Sequence, residues 1–197
     1  MLILASQSAS RRAMLDTAGV PYSAMSAGVD EEGMKIALRA EGVDARGLAD
    51  ALAELKAIKL SRKYPTDFVL GCDTTVVLDD GTMIDKAESR EAQRELLLNL
   101  SGKRHSLFSA AVICEGGSPV WRHVDVARMH VRILSEAFIE TYLDSEWPAI
   151  SGCVGGYRIE GRGVQLFAKT EGSQFTILGL PLLPLLDYLR TRTVMSS

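Results

Sequence analysis

The sequence predicts an α/β fold: a mixed, twisted sheet with flanking helices, arranged as two lobes around a central cleft. Short apolar runs alternate with helical segments in the first half of the chain, which is typical of strand–helix units. Further along, residues 106–114 and 120–133 resemble two consecutive antiparallel strands, so the sheet is not purely parallel. No repeat or long linker divides the chain, and we expect a single domain over residues 1–197.

The first half of the chain supplies the strand–helix alternation. A buried strand at 2–5 is followed by a polar turn and by a helix at 11–18, which Gly19 closes. Leucine and isoleucine recur at helical intervals over 44–62, which predicts a long amphipathic helix. Residues 68–72 and 75–78 form either a strand pair or one long strand around Asp73, and the turn at 79–81 follows.

The second half continues with a helix at 91–100 and the antiparallel strands. Ser135 is placed to cap a helix that runs to about Asp144. The remaining elements are a glycine-rich loop at 151–163, a strand at 164–169 and a closing helix at 182–192.

Composition excludes several classes of protein. The chain has 22 Lys and Arg against 25 Asp and Glu, a net charge of -3, which argues against a general nucleic-acid binder. Its 47% hydrophobic content excludes a disordered chain. The apolar run at residues 1–5 is far shorter than the roughly 20 residues of a membrane span and lacks the basic flank of a signal peptide. The three scattered cysteines predict reduced thiols, and we expect a cytoplasmic protein without a membrane partner.

The polar segment Ser6–Arg12 is a candidate anion site. A loop that joins a strand to a helix presents backbone N–H groups and the positive end of the helix dipole. Arg11 and Arg12 add forked donors that match phosphate oxygens. The alternative is a simple helix cap made by the serine hydroxyls, with both arginines in solvent.

Asp73 is the candidate catalytic group. It lies between two β-rich apolar runs, where a carboxylate is costly unless a cation, a hydrogen bond or a proton compensates it. The alternative is a strand end that faces water. Lys56, Lys86 and Glu31 carry no signal of their own, because lysines on amphipathic helices are usually solvated.

The glycine-rich loop is a second candidate, since its glycines permit a close approach to a ligand and Glu160 can accept hydrogen bonds from a base. The alternative is a mobile surface turn. No spacing of histidines and cysteines suggests a metal site, and no G-x-S-x-G motif suggests a serine nucleophile.

Taken together, these segments resemble the Maf family of nucleoside triphosphate pyrophosphatases, also called septum-formation proteins. The matching stretches occur in the family's order and cover almost the whole chain: LILASQSASRRAML (2–15), AGVDE (27–31), LAELKA (52–57), GCDTTVVLD (71–79), DKA (85–87), LSGKRHSLFSAAV (100–112), GGYRIEG (155–161) and EGSQFTILGLPL (171–182). Ala9 and Ala87 stand where the family commonly has proline.

The resemblance implies a nucleotide-binding cleft of the kind found in inosine triphosphatases, and usually a homodimer. It implies hydrolysis of the α–β phosphoanhydride of canonical or modified nucleotides to a monophosphate and pyrophosphate, a house-cleaning activity that uses Mg²⁺ or Mn²⁺. The alternative is a nucleotide-binding regulator of septum formation that needs no turnover.

The resemblance also implies roles for individual residues. Asp73 matches the proton acceptor, and Asp73 with Glu31 would hold the metal. The implied phosphate-binding residues are Ser8, Arg11, Arg12, Lys56 and Lys86.

Base choice in the family is tied to positions matched by Ser10, Thr74 and Glu160. Pyrimidine-type members resemble Arg, Thr and Gln there, and the 7-methyl-GTP type resembles Trp, Gln and Glu. This chain mixes the two types, so pyrimidine, 7-methyl-GTP and broad preferences all stay open.

Overall fold

A computed structural model describes residues 1–196 of the chain. The strands are β1 (Leu2–Leu4), β2 (Tyr22–Ala24), β3 (Phe68–Leu78), β4 (Met83–Ile84), β5 (Arg104–Glu115), β6 (Ser118–Val131) and β7 (Phe167–Glu171). The helices are α1 (Ala9–Thr17), α2 (Glu31–Ala40), α3 (Ala45–Lys63), α4 (Arg90–Leu100), α5 (Glu136–Glu146), α6 (Gln174–Ile177) and α7 (Leu182–Thr191), with a short 3₁₀ helix at Arg162–Leu166.

The predicted mixed α/β class is confirmed. The strands form a seven-stranded sheet in the order β2-β1-β3-β5-β6-β7, and β4 pairs with β3. Strand β1 is parallel to both of its neighbours, whereas the β3–β4 and β6–β7 pairs are antiparallel. The chain divides into two compact units: Met1–Thr74, Phe108–Asp125 and the segment from Leu178 form the first, and Thr75–Leu107 with Val126–Ile177 forms the second.

Small residues bring α3 against β3 in the first unit. The face of α3 that carries Ala49, Ala53 and Ala57 belongs to its buried core. A Cβ atom added at Gly71 of β3 would lie 2.0 Å from the carbonyl oxygen of Ala53. The glycine therefore permits an approach of helix to strand that no other residue allows without a shift.

Larger aliphatic and aromatic residues fill the core of the second unit. Leucines of α4 pack with residues of β6 and α5 in one buried cluster. Ser89 and Ser135 cap the two helices through their hydroxyls, which accept from Ala92 N and Phe138 N. The predicted cap at Ser135 is thereby confirmed.

Most predicted elements lie within two residues of the observed ones, and residues 68–78 form one long strand rather than a strand pair. The expected strand at 164–169 differs: a 3₁₀ helix occupies Arg162–Leu166 and the strand begins at Phe167. Its pairing with β6 is irregular between His130 and Val131, which alternating sequence does not reveal. Within residues 1–196, no helix is long and apolar enough to cross a membrane.

Candidate functional site

The loop before α1 is a helix cap. Ser8 is the N-cap residue, and its hydroxyl accepts from Arg11 N at 3.4 Å. Its own N–H donates to the hydroxyl of Ser6 at 3.2 Å. The predicted strand–loop–helix arrangement is thus present, with the positive end of α1 at Ser8. Ser10 and the exposed Arg12 lie in the first turn.

Arg11 turns away from solvent and binds this chain's own oxygens. Its Nε donates to Gly179 O at 2.8 Å, and Nη1 donates to Cys72 O at 3.1 Å and to the hydroxyl of Ser6 at 3.3 Å. Its Nη2 donates to Thr74 Oγ1 at 3.1 Å. Arg11 therefore connects α1 to the part of β3 that carries Asp73.

Asp73 forms a buried ion pair with Lys56. Lys56 Nζ lies 2.7 Å from Asp73 Oδ1 and 2.8 Å from Glu31 Oε2. The side chains of Lys56 and Asp73 are 9% and 10% exposed, whereas that of Glu31 is 46% exposed. One ammonium thus compensates two carboxylates, which explains how Asp73 tolerates its apolar strand. The prediction that Asp73 needs a compensating partner is confirmed.

Three elements place this trio. The close contact at Gly71 brings β3 against α3, so that Lys56 reaches Asp73 across the interface. Helix α2 begins at Glu31, because the side chain of Asp30 caps it by accepting from Gly33 N at 3.0 Å. Glu31 therefore stands on the first turn of a helix whose own N–H groups favour negative charge.

The second oxygen of Asp73, Oδ2, meets no hydrogen-bond donor among residues 1–196. Lys56 fixes Oδ1, which holds the carboxylate in one orientation. A carboxylate with one anchored and one open oxygen can accept a proton from a water or bind a cation.

The residues on each side of Asp73 have different roles. Thr74 Oγ1 accepts from Arg11 and lies 3.0 Å from the hydroxyl of the buried Ser109. Burial raises the pKa of the Cys72 thiol to about 11, so this cysteine stays protonated and is a poor nucleophile.

The second unit brings together Lys86, Glu160 and Cys153. Lys86 and Glu160 are both exposed, and both act electrostatically on the Cys153 thiol, as does Arg158. Desolvation dominates and raises the pKa of that thiol. Lys86 and Glu160 therefore both lie within electrostatic range of the same thiol.

The glycine-rich loop packs against neighbouring residues at its centre. Gly156 is buried, and a Cβ atom there would lie 1.7 Å from Gln93 Nε2. Its carbonyl accepts from the hydroxyl of Tyr142 at 3.2 Å. Arg158 Nη2 donates to Glu146 at 2.8 Å. The absence of a side chain at Gly156 therefore leaves space for the side chain of Gln93.

Sequence reasoning missed the residue that anchors this loop. His105 Nε2 lies 2.7 Å from the hydroxyl of Tyr157, and both residues are buried. Burial lowers the pKa of His105 to about 4, so the ring is neutral at physiological pH. A histidine inside a strand of alternating pattern was the available signal, but its partner lies 52 residues away.

A family model described as "Maf-like protein" matches residues 1–192. The chain belongs to the Maf family. The resemblance inferred from the sequence motifs is thereby confirmed.

Curated relatives of this Maf chain carry one name. A "Nucleoside triphosphate pyrophosphatase" of Sphingopyxis alaskensis is 49% identical over 96% of this chain and 96% of its own length. Proteins of the same name from Ruegeria pomeroyi and Caulobacter vibrioides are 47% and 49% identical, over 100% and 95% of this chain and 98% and 93% of theirs. Among solved structures, a HAM1 protein from Coxiella burnetii matches 66% of this chain and 72% of its own, with 13% identity and a TM-score of 0.45.

Maf-family nucleoside triphosphate pyrophosphatases generally use a divalent metal, and the donors in this Maf chain suit one. Glu31 and Asp73 offer hard carboxylate oxygens, and both lie within 3 Å of Lys56 Nζ. Mg²⁺ usually takes one or two carboxylates and completes its shell with water and substrate phosphates. Within residues 1–196 no group of three or more His, Cys, Asp or Glu side chains is placed to hold a metal ion. The two carboxylates match the donor number that Mg²⁺ commonly takes from a protein.

Proposed function

We propose that this protein hydrolyses nucleoside triphosphates at the α–β phosphoanhydride and releases a nucleoside monophosphate and pyrophosphate. The observation that carries the proposal is Asp73: a buried carboxylate with one oxygen bound to Lys56 and the other open. The name shared by relatives that are 47–49% identical over nearly the whole chain supports the same reaction. The chain is an enzyme of this class.

Asp73 acts as the general base. Its open oxygen accepts a proton from the attacking water, while Lys56 holds the carboxylate in position. A positioned general base typically accelerates such a step about 10²–10⁴-fold. Lys56 also keeps positive charge beside the reacting phosphates once Asp73 has taken up the proton.

Phosphate is held at the start of α1. The positive end of the α1 dipole and the exposed guanidinium of Arg12 favour an anion there. Ser8 positions that turn by capping it. Lys56 adds positive charge beside Asp73, and a phosphate-binding role for Lys86 rests on the family resemblance alone.

A divalent cation, Mg²⁺ or Mn²⁺, is the cofactor, and Glu31 and Asp73 would hold it. When bound, it would supply positive charge against the negative charge that develops as pyrophosphate leaves. In the ligand-free protein, Lys56 keeps the two carboxylates close together by pairing with both.

Ser10, Thr74 and Glu160 set the base preference. Each stands at a position tied to base choice in the family, and the three residues match neither type completely. A panel that includes pyrimidine triphosphates, GTP and 7-methyl-GTP therefore measures the preference directly.

We further propose that residues 1–197 act as one functional domain, and that the protein works as a cytoplasmic homodimer on free nucleotides rather than on nucleic acid. Its net charge of -3 supports free nucleotides over nucleic acid as the ligand, since a nucleic-acid binder usually carries a basic excess. Light scattering after gel filtration tests the dimer, and a single species at the monomer mass would overturn it.

The experiment that tests the function is pyrophosphate release over that nucleotide panel, with Mg²⁺, with Mn²⁺ and with EDTA. We expect turnover of at least one nucleotide, with a monophosphate as the second product and loss of activity in EDTA. Orthophosphate as the product would contradict cleavage at the α–β bond. Nucleotide binding without turnover, under every metal condition, would instead support a regulator of septum formation.

A further inference from the structure

Two adjacent arginines, both assigned to phosphate by the family resemblance, have opposite environments. Arg12 is exposed, and its guanidinium forms no hydrogen bond or ion pair with residues 1–196. Arg11 is half-buried and donates to Gly179 O, Cys72 O, Thr74 Oγ1 and the hydroxyl of Ser6. The two guanidinium groups therefore differ in how many N–H groups they can offer to a phosphate.

The donors of Arg11 are nearly all used. A guanidinium has five N–H groups in a fixed fork. Four hydrogen bonds to this chain leave one N–H, on Nη2. Bidentate binding of a phosphate needs two parallel N–H groups, so Arg11 would have to break an internal bond to provide it.

The acceptors of Arg11 flank Asp73 on both sides. Cys72 O precedes the carboxylate along β3 and Thr74 Oγ1 follows it. Ser109, which is fully buried, lies 3.0 Å from the same threonine hydroxyl. Arg11 thus fixes the backbone before Asp73 and the side chain after it.

Gly179 completes this arrangement from the other side. Its φ is +98°, and a Cβ atom there would lie 3.4 Å from Arg11 Nε and 3.2 Å from Thr74 Oγ1. The bend at Gly179 therefore closes on the guanidinium and presents its carbonyl to it.

We propose that Arg11 is a positioning residue, which sets the orientation of Asp73 and Thr74, and that Arg12 is the arginine that contacts phosphate. This inference rests on the proposed function and refines it. The family motif assigns phosphate binding to both arginines, whereas this inference gives that role to Arg12 alone.

The conservative pair Arg11→Lys and Arg12→Lys separates the two roles kinetically. Lysine keeps the charge but cannot bridge four acceptors, so Arg11→Lys should lower kcat roughly 10–100-fold by misplacing Asp73. It should also change the ranking of nucleotides, because Thr74 loses a partner, while the Kd of magnesium pyrophosphate stays within about twofold of wild type. Arg12→Lys should weaken pyrophosphate roughly 10-fold and leave the ranking unchanged. The exposed Arg190→Lys is the control.

A second measurement needs no activity. In the ligand-free protein, the Nε–H of Arg11 should exchange slowly with solvent in ¹H–¹⁵N spectra, because Gly179 O accepts from it. The Nε–H of Arg12 should exchange fast. When magnesium pyrophosphate is added, the Arg12 signal should move and the Arg11 signal should stay.

The outcomes separate this inference from the function on which it rests. Fast exchange at Arg11 in the free protein, or an Arg11 signal that moves before Arg12 does, would overturn the positioning role. If wild type neither binds pyrophosphate nor releases it, the proposed function fails. In that case, slow exchange at Arg11 would still support its hydrogen bonds to the part of β3 around Asp73. Fast exchange would refute them.

Discussion

Gly71 of β3 and Ala53 of α3 lie so close that a Cβ atom at position 71 would be 2.0 Å from the carbonyl oxygen of Ala53. That contact sets the distance between helix and strand at the level where Lys56 reaches Asp73. The ion pair at the centre of the site therefore depends on a residue that takes no part in chemistry.

Gly71→Ala should destabilise the protein by about 1–3 kcal/mol, because an extra methyl group in a packed interface forces the backbone to move. Urea unfolding should show a lower midpoint at an unchanged m-value. Gly152→Ala is the control, since nothing lies within 4 Å of a Cβ atom there. A Gly71→Ala protein with wild-type stability would mean that helix and strand are not held this closely.

Lys56→Met should lower both kcat/KM and the free energy of unfolding. Without the ammonium, the buried carboxylate of Asp73 loses its compensating charge and the group that fixes its orientation. The double variant Lys56→Met/Asp73→Asn should recover part of the stability, since the buried charge is gone. Lys63→Met, at the exposed end of α3, is the control. Wild-type stability and kcat/KM in Lys56→Met would show that Lys56 does not hold Asp73 in place.

His105 should make the fold sensitive to acid. Its pKa is about 4 in the folded protein because of burial, against an ordinary value of 6.5. Between these values the unfolded chain binds a proton that the folded chain does not, so stability falls as pH drops from 6.5 towards 4. The loss attributable to this ring is on the order of 3 kcal/mol.

Urea unfolding of His105→Gln tests this over the same pH range. Glutamine can still reach the hydroxyl of Tyr157 but does not titrate, so the variant should lose less stability than wild type as pH falls. His123→Gln, at a partly exposed histidine, should keep the wild-type slope. Parallel curves for wild type and His105→Gln would place the acid sensitivity in other groups.

Glu160→Gln should shift kcat/KM from guanine-type towards pyrimidine triphosphates. An ionised carboxylate only accepts hydrogen bonds and favours the N–H donors of a guanine edge, whereas an amide both donates and accepts. By analogy with base contacts in DNA, one such bidentate contact is worth about 1–3 kcal/mol of discrimination. Glu88→Gln, an exposed residue near Lys86 in sequence, is the control. If the panel keeps its order and spacing in Glu160→Gln, this residue does not read the base.

Local sequence predicted the elements that depend on local physics. The long helix α3 followed from its apolar periodicity, and it begins at Asp44, whose side chain caps it. Helix α2 was not predicted, and none of its residues is fully buried. The same reasoning found Asp73, since a charge inside an apolar run stands out.

The partners of these residues could not be predicted, because they depend on contacts that are distant in sequence. Arg11 meets Gly179 at a separation of 168 residues, and His105 meets Tyr157 at 52. The sequence motif around the two arginines does not distinguish an arginine that binds phosphate from one that positions other residues. Only the acceptors around each guanidinium distinguish the two.

Single-turnover hydrolysis by Asp73→Asn decides whether Asp73 is the base in pyrophosphate release. Asparagine keeps the shape of the side chain and can still accept a hydrogen bond from Lys56, so the fold should persist. We expect nucleotide binding to persist and the rate of pyrophosphate release to fall about 10²–10⁴-fold. Asp79→Asn, at the exposed strand end, should retain wild-type turnover. A folded Asp73→Asn protein that releases pyrophosphate at the wild-type rate would show that Asp73 is not the base.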